Sequence, residues 1–166
     1  MCIRDSIYGP VHPRVASALN ELGGAALRRG HYDEAIARFS RMAAIYRTLY
    51  HDQHYLIGLA LSNLASVYIE KKDYPRAEQL FREVIRRYSE TLPPGHMFMG
   101  IAHIKLGRTL VREHRYADAE PEILAGYEIV NKQANPSVSW LKSARQDLVT
   151  IYGNLNQPEK AKTFRP

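Results

Sequence analysis

The chain is poor in cysteine, has no long apolar run and assembles no catalytic motif. Its one cysteine, Cys2, stands within the first six residues. That leaves no disulfide framework and no thiolate cluster, which suits the cytosol. No stretch approaches the roughly 20 apolar residues of a membrane span, and no basic-then-apolar leader stands at the start. A cytoplasmic chain that does not enter a membrane is therefore expected. Spacing suggests no Ser/His/Asp or Cys/His arrangement. Acidic pairs such as Asp33-Glu34 read as helix starts, where carboxylates suit the helix dipole. The expectation is a protein that is not an enzyme and carries no cofactor. There are seven histidines, but no three at metal-ligand spacing. His51 and His54 lack a close third ligand, so no metal is expected.

The chain has 166 residues, 45% of them hydrophobic, and a formal net charge of +6. It is rich in Ala, Leu and Arg, which favours helix. The opening Met1 to Ser6 resembles the translation of a sequencing adapter (ATG TGT ATA AGA GAC AG) and is set aside from fold reasoning, as a fusion scar would be. Arg4 and Asp5 cancel within it. Charges of both signs alternate, as in Arg76, Glu78, Arg82 and Glu83. That mixing argues against a phosphate-binding stripe and so against nucleic acid. The aromatic residues, eleven of sixteen being Tyr, fall mostly at repeated core positions.

What the chain does have is one pattern written three times at a step of 42 residues. Tyr32, Tyr74 and Tyr116 keep that step, as do Ala35, Ala77 and Ala119. Leu22, Leu64 and Leu106 keep it too, each followed by Gly23, Ala65 or Gly107. His12, His54 and His96 share it and read as helix-start residues. Such a step means stacked copies of one unit rather than a domain built around one site. Apolar residues recur at three and four within each copy, giving two helices per copy. Val15, Leu19 and Ala26 mark the first helix; Ala35, Phe39 and Met42 mark the second. Asp73 can cap a helix in whose first turn Pro75 is harmless. Leu92-Pro93-Pro94-Gly95 is a break.

The expected divisions are 1–6 as the adapter-like segment, 7–12 as a linker from an absent earlier copy, and 13–53, 54–95 and 96–136 as complete repeats. Residues 137–166 form a partial fourth. Small residues at Gly23, Ala65 and Gly107, facing Ala35, Ala77 and Ala119, let paired helices approach closely. Phe39, Phe81 and Ile123 are expected to fill the space to the next repeat. Missing neighbours are expected to leave apolar faces open around Val15, Leu19, Trp140 and Leu148, so that the chain self-associates through its exposed ends.

These residues are similar to the tetratricopeptide repeat pattern of Leu-Gly, then Gly-x-Tyr-x-x-Ala, then Phe. In the first repeat they are Leu22-Gly23, Gly30-His31-Tyr32-Asp33-Glu34-Ala35 and Phe39. The usual step is about 34 residues. The longer step, the segments Leu19 to Gly23 and Leu61 to Ala65, and the His12-Pro13 linker resemble the kinesin-light-chain subclass. The pattern departs at His103, Ile123 and Gly126. Leu106 to Ala161 also resembles repeat tails of bacterial serine/threonine protein kinases, although the chain holds no Gly-rich loop, His-Arg-Asp or Asp-Phe-Gly element.

The resemblance implies an all-α fold, a right-handed α-solenoid of antiparallel helix pairs. It implies a scaffold that binds an extended peptide or a partner domain in a concave groove lined by the first helix of each repeat. The alternative is a regulatory tail of a signalling enzyme. Groove candidates are Asn20 and Glu21 in the first repeat, and Ser62, Asn63 and Ser66 in the second. Lys105, Arg108 and Arg112 follow in the third, and Gln146 in the fourth. Asn can pair with both N–H and C=O of a peptide. Lys and Arg can hold carboxylates, so an acidic segment or a chain end is the expected partner.

Overall fold

The computed structural model describes residues 9–165. The adapter-like segment with Cys2, and Ile7 and Tyr8 of the opening linker, lie outside the described residues. Among these there are eight helices and no strand: α1 (Pro13–Arg28), α2 (Tyr32–Tyr50), α3 (Tyr55–Glu70), α4 (Tyr74–Thr91), α5 (Met97–Arg112), α6 (Tyr116–Asn131), α7 (Val138–Asn154) and α8 (Pro158–Phe164). The first seven are substantial and the eighth is short, as the helical period predicts. No described helix is long and apolar enough to cross a membrane. The chain divides into two compact halves, Met1–Thr91 and Leu92–Pro166. In the first, α1 packs on α2, α2 on α3 and α3 on α4; in the second, α5 packs on α6, α6 on α7 and α7 on α8.

Helices start and stop by devices that recur with the repeat. The Nδ1 atoms of His12, His54 and His96 accept the backbone N–H of Arg14, Leu56 and Phe98 at 3.1, 3.2 and 3.1 Å. Imidazole thus serves where a Ser or Asp oxygen usually caps the first turn. Asp73 starts α4, its Oδ1 accepting the Arg76 N–H at 3.3 Å. The first helix of each pair ends at a left-handed residue: Gly30, Lys72, His114 and Asn156, with φ of +76°, +61°, +61° and +53°. The next residue then donates its N–H back to close the last turn. His31 reaches the Ala26 carbonyl at 2.9 Å, Asp73 reaches Tyr68 at 2.9 Å, Arg115 reaches Leu110 at 3.0 Å and Gln157 reaches Tyr152 at 2.9 Å. These bonds satisfy carbonyls that a helix end leaves without partners.

Inside each pair the contact is made through small residues. Ala35, Ala77 and Ala119 are fully buried. A Cβ on Gly23 would stand 2.8 Å from the Phe39 ring, and one on Gly107 would stand 2.6 Å from Ile123. Phe39 and Ile123 therefore fill a socket on the partner helix of their own pair, not only the space toward the next repeat as expected. The bare glycine backbone opposite makes that socket. In the third pair the approach is closer still: a Cβ on Gly126 would lie 2.5 Å from the Gly100 carbonyl oxygen.

The ends also differ from expectation. Val15, Leu19 and Leu148 are fully buried, because the helices beside them in their own half cover them, and Trp140 is half-buried. The side chains left open are Val11, Leu22 and Val138. Leu22 is 42% exposed where Leu64 and Leu106 are buried, since no described helix precedes α1 to cover it.

Three stability outcomes follow from the packing and the helix ends. Gly126→Ala should cost about 1–3 kcal/mol or more, because two of the three atoms in its way, the Gly100 carbonyl oxygen and the Ile104 nitrogen, are backbone and cannot swing aside. Gly24→Ala, whose nearest neighbour is the Arg28 side chain at an ordinary 3.4 Å, should instead stabilise by up to about 1 kcal/mol through helix propensity. Lys72→Gly should gain on the order of 1 kcal/mol by relieving a left-handed residue. Urea midpoints of the three variants check all of this; equal midpoints for Gly126→Ala and Gly24→Ala would disprove the close crossing.

Candidate functional site

In the first half, α1 and α3 lie side by side and open a cleft of about 460 Å³. Asn20, Glu21 and Gly24 on α1 line it with Asn63 and Ser66 on α3; Leu27, Phe39 and Arg28 complete the wall. The Asn63 Nδ2 donates to Asn20 Oδ1 at 2.7 Å across the two helices. This uses one group of each amide. The Nδ2 of Asn20 is left to donate and the Oδ1 of Asn63 to accept. Glu21 and Arg28 are exposed, so the cleft carries one charge of each sign. Ser66 gives its hydroxyl to the Ser62 carbonyl at 2.9 Å. Ser62 is buried at 6% exposure and does not line the cleft. The structure thus brings Asn20, Glu21, Asn63 and Ser66 together and leaves Ser62 beneath them.

In the second half, Lys105, Arg108 and Arg112 project from α5, beside α7 with Gln146 and Asp147. The three cations are not equivalent. Arg108 Nε stands 3.2 Å from Asp147 Oδ2, so part of its charge is already answered. Burial pushes the Asp147 carboxyl up, while Arg108 and Arg112 pull it down. Burial, with the neighbouring Arg108 adding to it, pushes the Lys105 ammonium down to about 8. Arg112 and Gln146 are exposed.

Two polar contacts escape a reading by helical period. Arg87 on α4 is 8% exposed. It donates to both carboxylate oxygens of Asp52 at 3.1 and 3.3 Å, to the Asp52 carbonyl at 3.3 Å, and to Glu83 at 2.8 Å. The bond from Arg87 holds the Asp52 carboxyl below its ordinary range. The signal was present in the repeat comparison: Arg87 stands where the other copies have Ile45 and Ile129, and Asp52 where they have Pro10 and Pro94. His103 Nδ1 and Glu122 Oε2 lie 2.7 Å apart between α5 and α6. Among the described residues no group of three His, Cys, Asp or Glu side chains is placed to hold a metal ion.

A family model described as tetratricopeptide repeat matches residues 14–90 and 55–132. A search of curated proteins finds no match. Among solved structures, the chain is similar to a kinesin-light-chain type protein of Podospora anserina with nearly identical TPR-like repeats. The identity is 18% and the TM-score 0.76, over 98% of this chain and 76% of that one. It is similar to BtubC (BKLC) from P. vanneervenii at 14% identity and a TM-score of 0.81, over 90% of this chain and 59% of the other. It is also similar to the first TPR of Spaghetti (RPAP3), solved with the HSP90 peptide SRMEEVD, at 18% identity and a TM-score of 0.64, over 88% and 97%. Identities this low establish a shared fold and carry no ligand with them.

Lys105 offers a direct check of the second patch. In an unfolded chain its ammonium titrates near its ordinary 10.5, and in the fold near 8. Between those values the unfolded chain binds more protons, so Lys105 alone makes stability rise with pH through that window. Nitrogen NMR of the Lys105 Nζ should titrate near 8 and move up in Arg108→Ala, which removes a like charge. It should stay below 10.5, because burial remains. A normal lysine titration in the intact chain would contradict this burial.

Proposed function

The chain belongs to the tetratricopeptide repeat family, and we propose that it is a protein-interaction module that holds an extended segment of a partner. The observation that carries this is the Asn20–Asn63 amide pair. Helical backbones satisfy their own N–H and C=O groups, so an extended peptide finds no strand edge here to pair with. A side-chain donor and acceptor standing side by side can take the peptide's carbonyl and amide instead. The second half offers a patch of its own, where Arg108 and Arg112 can answer a carboxylate from an acidic side chain or a free chain end. A repeat of the same fold was solved with SRMEEVD, a peptide carrying two Glu and a final Asp, which makes that peptide a suitable acidic probe.

A second reading rests on the resemblance of Leu106 to Ala161 to the repeat tails of signalling kinases. The module then acts within a longer polypeptide as its regulatory tail, and the clefts bind the same class of segment.

The test uses SRMEEVD with a free carboxyl end, beside a version with Lys for both Glu and an amidated end, in fluorescence anisotropy. The acidic peptide is expected to bind more tightly. Asn63→Ala should weaken it by about 1 kcal/mol, roughly fivefold, with little dependence on salt. Arg108→Ala with Arg112→Ala should weaken it most at low salt, because partly exposed charge pairs are screened. Binding that ignores all three substitutions would move recognition away from α1, α3 and α5.

A further inference from the structure

The second half carries a cleft of a different chemistry. Between α7 and α8 lies a recess of about 590 Å³, lined by Val138, Leu141, Val149 and Phe164. Lys142, Arg145 and Arg165 surround it together with Gln146, and among the described residues no carboxylate lines it. Val138 is 77% exposed, the most open of the large apolar side chains described. The walls are preformed. Phe164 rests on the rings of Tyr127 and Tyr152, with centroids 5.8 and 5.9 Å away. Arg145 is held at the rim by two hydrogen bonds to the Tyr127 hydroxyl, at 3.2 and 3.0 Å.

We propose that this recess is a second docking site, occupied by an acidic amphipathic helix of a partner protein. The lining disfavours an extended strand, whose backbone N–H groups would be stripped of water with Gln146 as the one side-chain acceptor among the described lining residues. A helix satisfies its own backbone and can lay one apolar face into a groove. Three cations without a carboxylate select acidic flanks on that helix. A second copy of this chain fits poorly, because a body of net charge +6 meets a cationic rim with like charge. An anionic membrane would match the charge, but bilayer insertion needs apolar groups that protrude, and these line a recess.

The probe is a synthetic helical peptide of about 18 residues, with Leu at i, i+3, i+4 and i+7 and Glu on either side. It is titrated against the whole chain beside a Lys-for-Glu version and a scramble of the same composition. The acidic helix is expected to bind about tenfold tighter than either. Val138→Asp, at a side chain with little packing to lose, and Lys142→Glu, at an exposed position, should each weaken it about fivefold or more. Asn63→Ala, in the other cleft, should leave it unchanged while impairing the extended peptide. Four results would overturn the proposal. One is failure of the acidic helix to bind, or equal binding of the Lys version. Another is indifference to both substitutions. A third is binding of phosphatidylserine vesicles in place of the peptide. The last is a dimer in sedimentation that Val138→Asp dissolves and the peptide cannot enter.

Discussion

Each helix pair is held together by backbone coming closer to backbone than most side chains permit. The requirement falls on a few positions. Ala35, Ala77 and Ala119 sit fully buried, and Gly23 and Gly107 leave sockets that Phe39 and Ile123 fill. Where the third pair closes on Gly100 and Gly126, neither helix has a Cβ to spare. Apolar burial supplies the driving force, but these positions decide how near the helices lie. In the first half, Asn20 on α1 and Asn63 on α3 come within 2.7 Å of each other. Helices a methyl group farther apart would lose that bond.

The Arg87 cluster is a different kind of solution. The first copy buries Ile45 at that position and the third half-buries Ile129, whereas this one buries a guanidinium. Such a charge costs desolvation and gains back only when its donors are all used. Here they reach Asp52 and Glu83, and Asp52 sits in a loop where His51 and Asp52 are both left-handed. What an isoleucine would contribute by packing is given up for a fixed loop between α2 and α3.

Much of this fold was legible in the sequence because the 42-residue step repeats both the helical period and the punctuation. Gly30 marks a stop on its own; Lys72 and His114 mark stops only by alignment with it. What was not legible was depth. A period of 3.6 tells which face a residue occupies, but not how far its neighbours rise around it. Ser62 and Asn63 read alike as groove residues, yet one is buried and the other lines the cleft. Lys105, Arg108 and Arg112 read as one basic ridge, yet one is sunk by burial and another leans on Asp147. Leu22 keeps the repeat step of the buried Leu64 and Leu106, yet it is open because covering a face takes a neighbour that the pattern within one helix does not report.

The stops at Gly30, Lys72, His114 and Asn156, and the imidazole caps at His12, His54 and His96, have a consequence for how such a protein changes over generations. Each cassette brings its own opening and its own closing, written in its own residues rather than borrowed from its neighbour. A recombination that joins one stop to an equivalent one removes or adds 42 residues at a time and leaves every remaining helix with both ends intact. Length can therefore drift in whole cassettes while the register of every surviving pair is inherited unchanged.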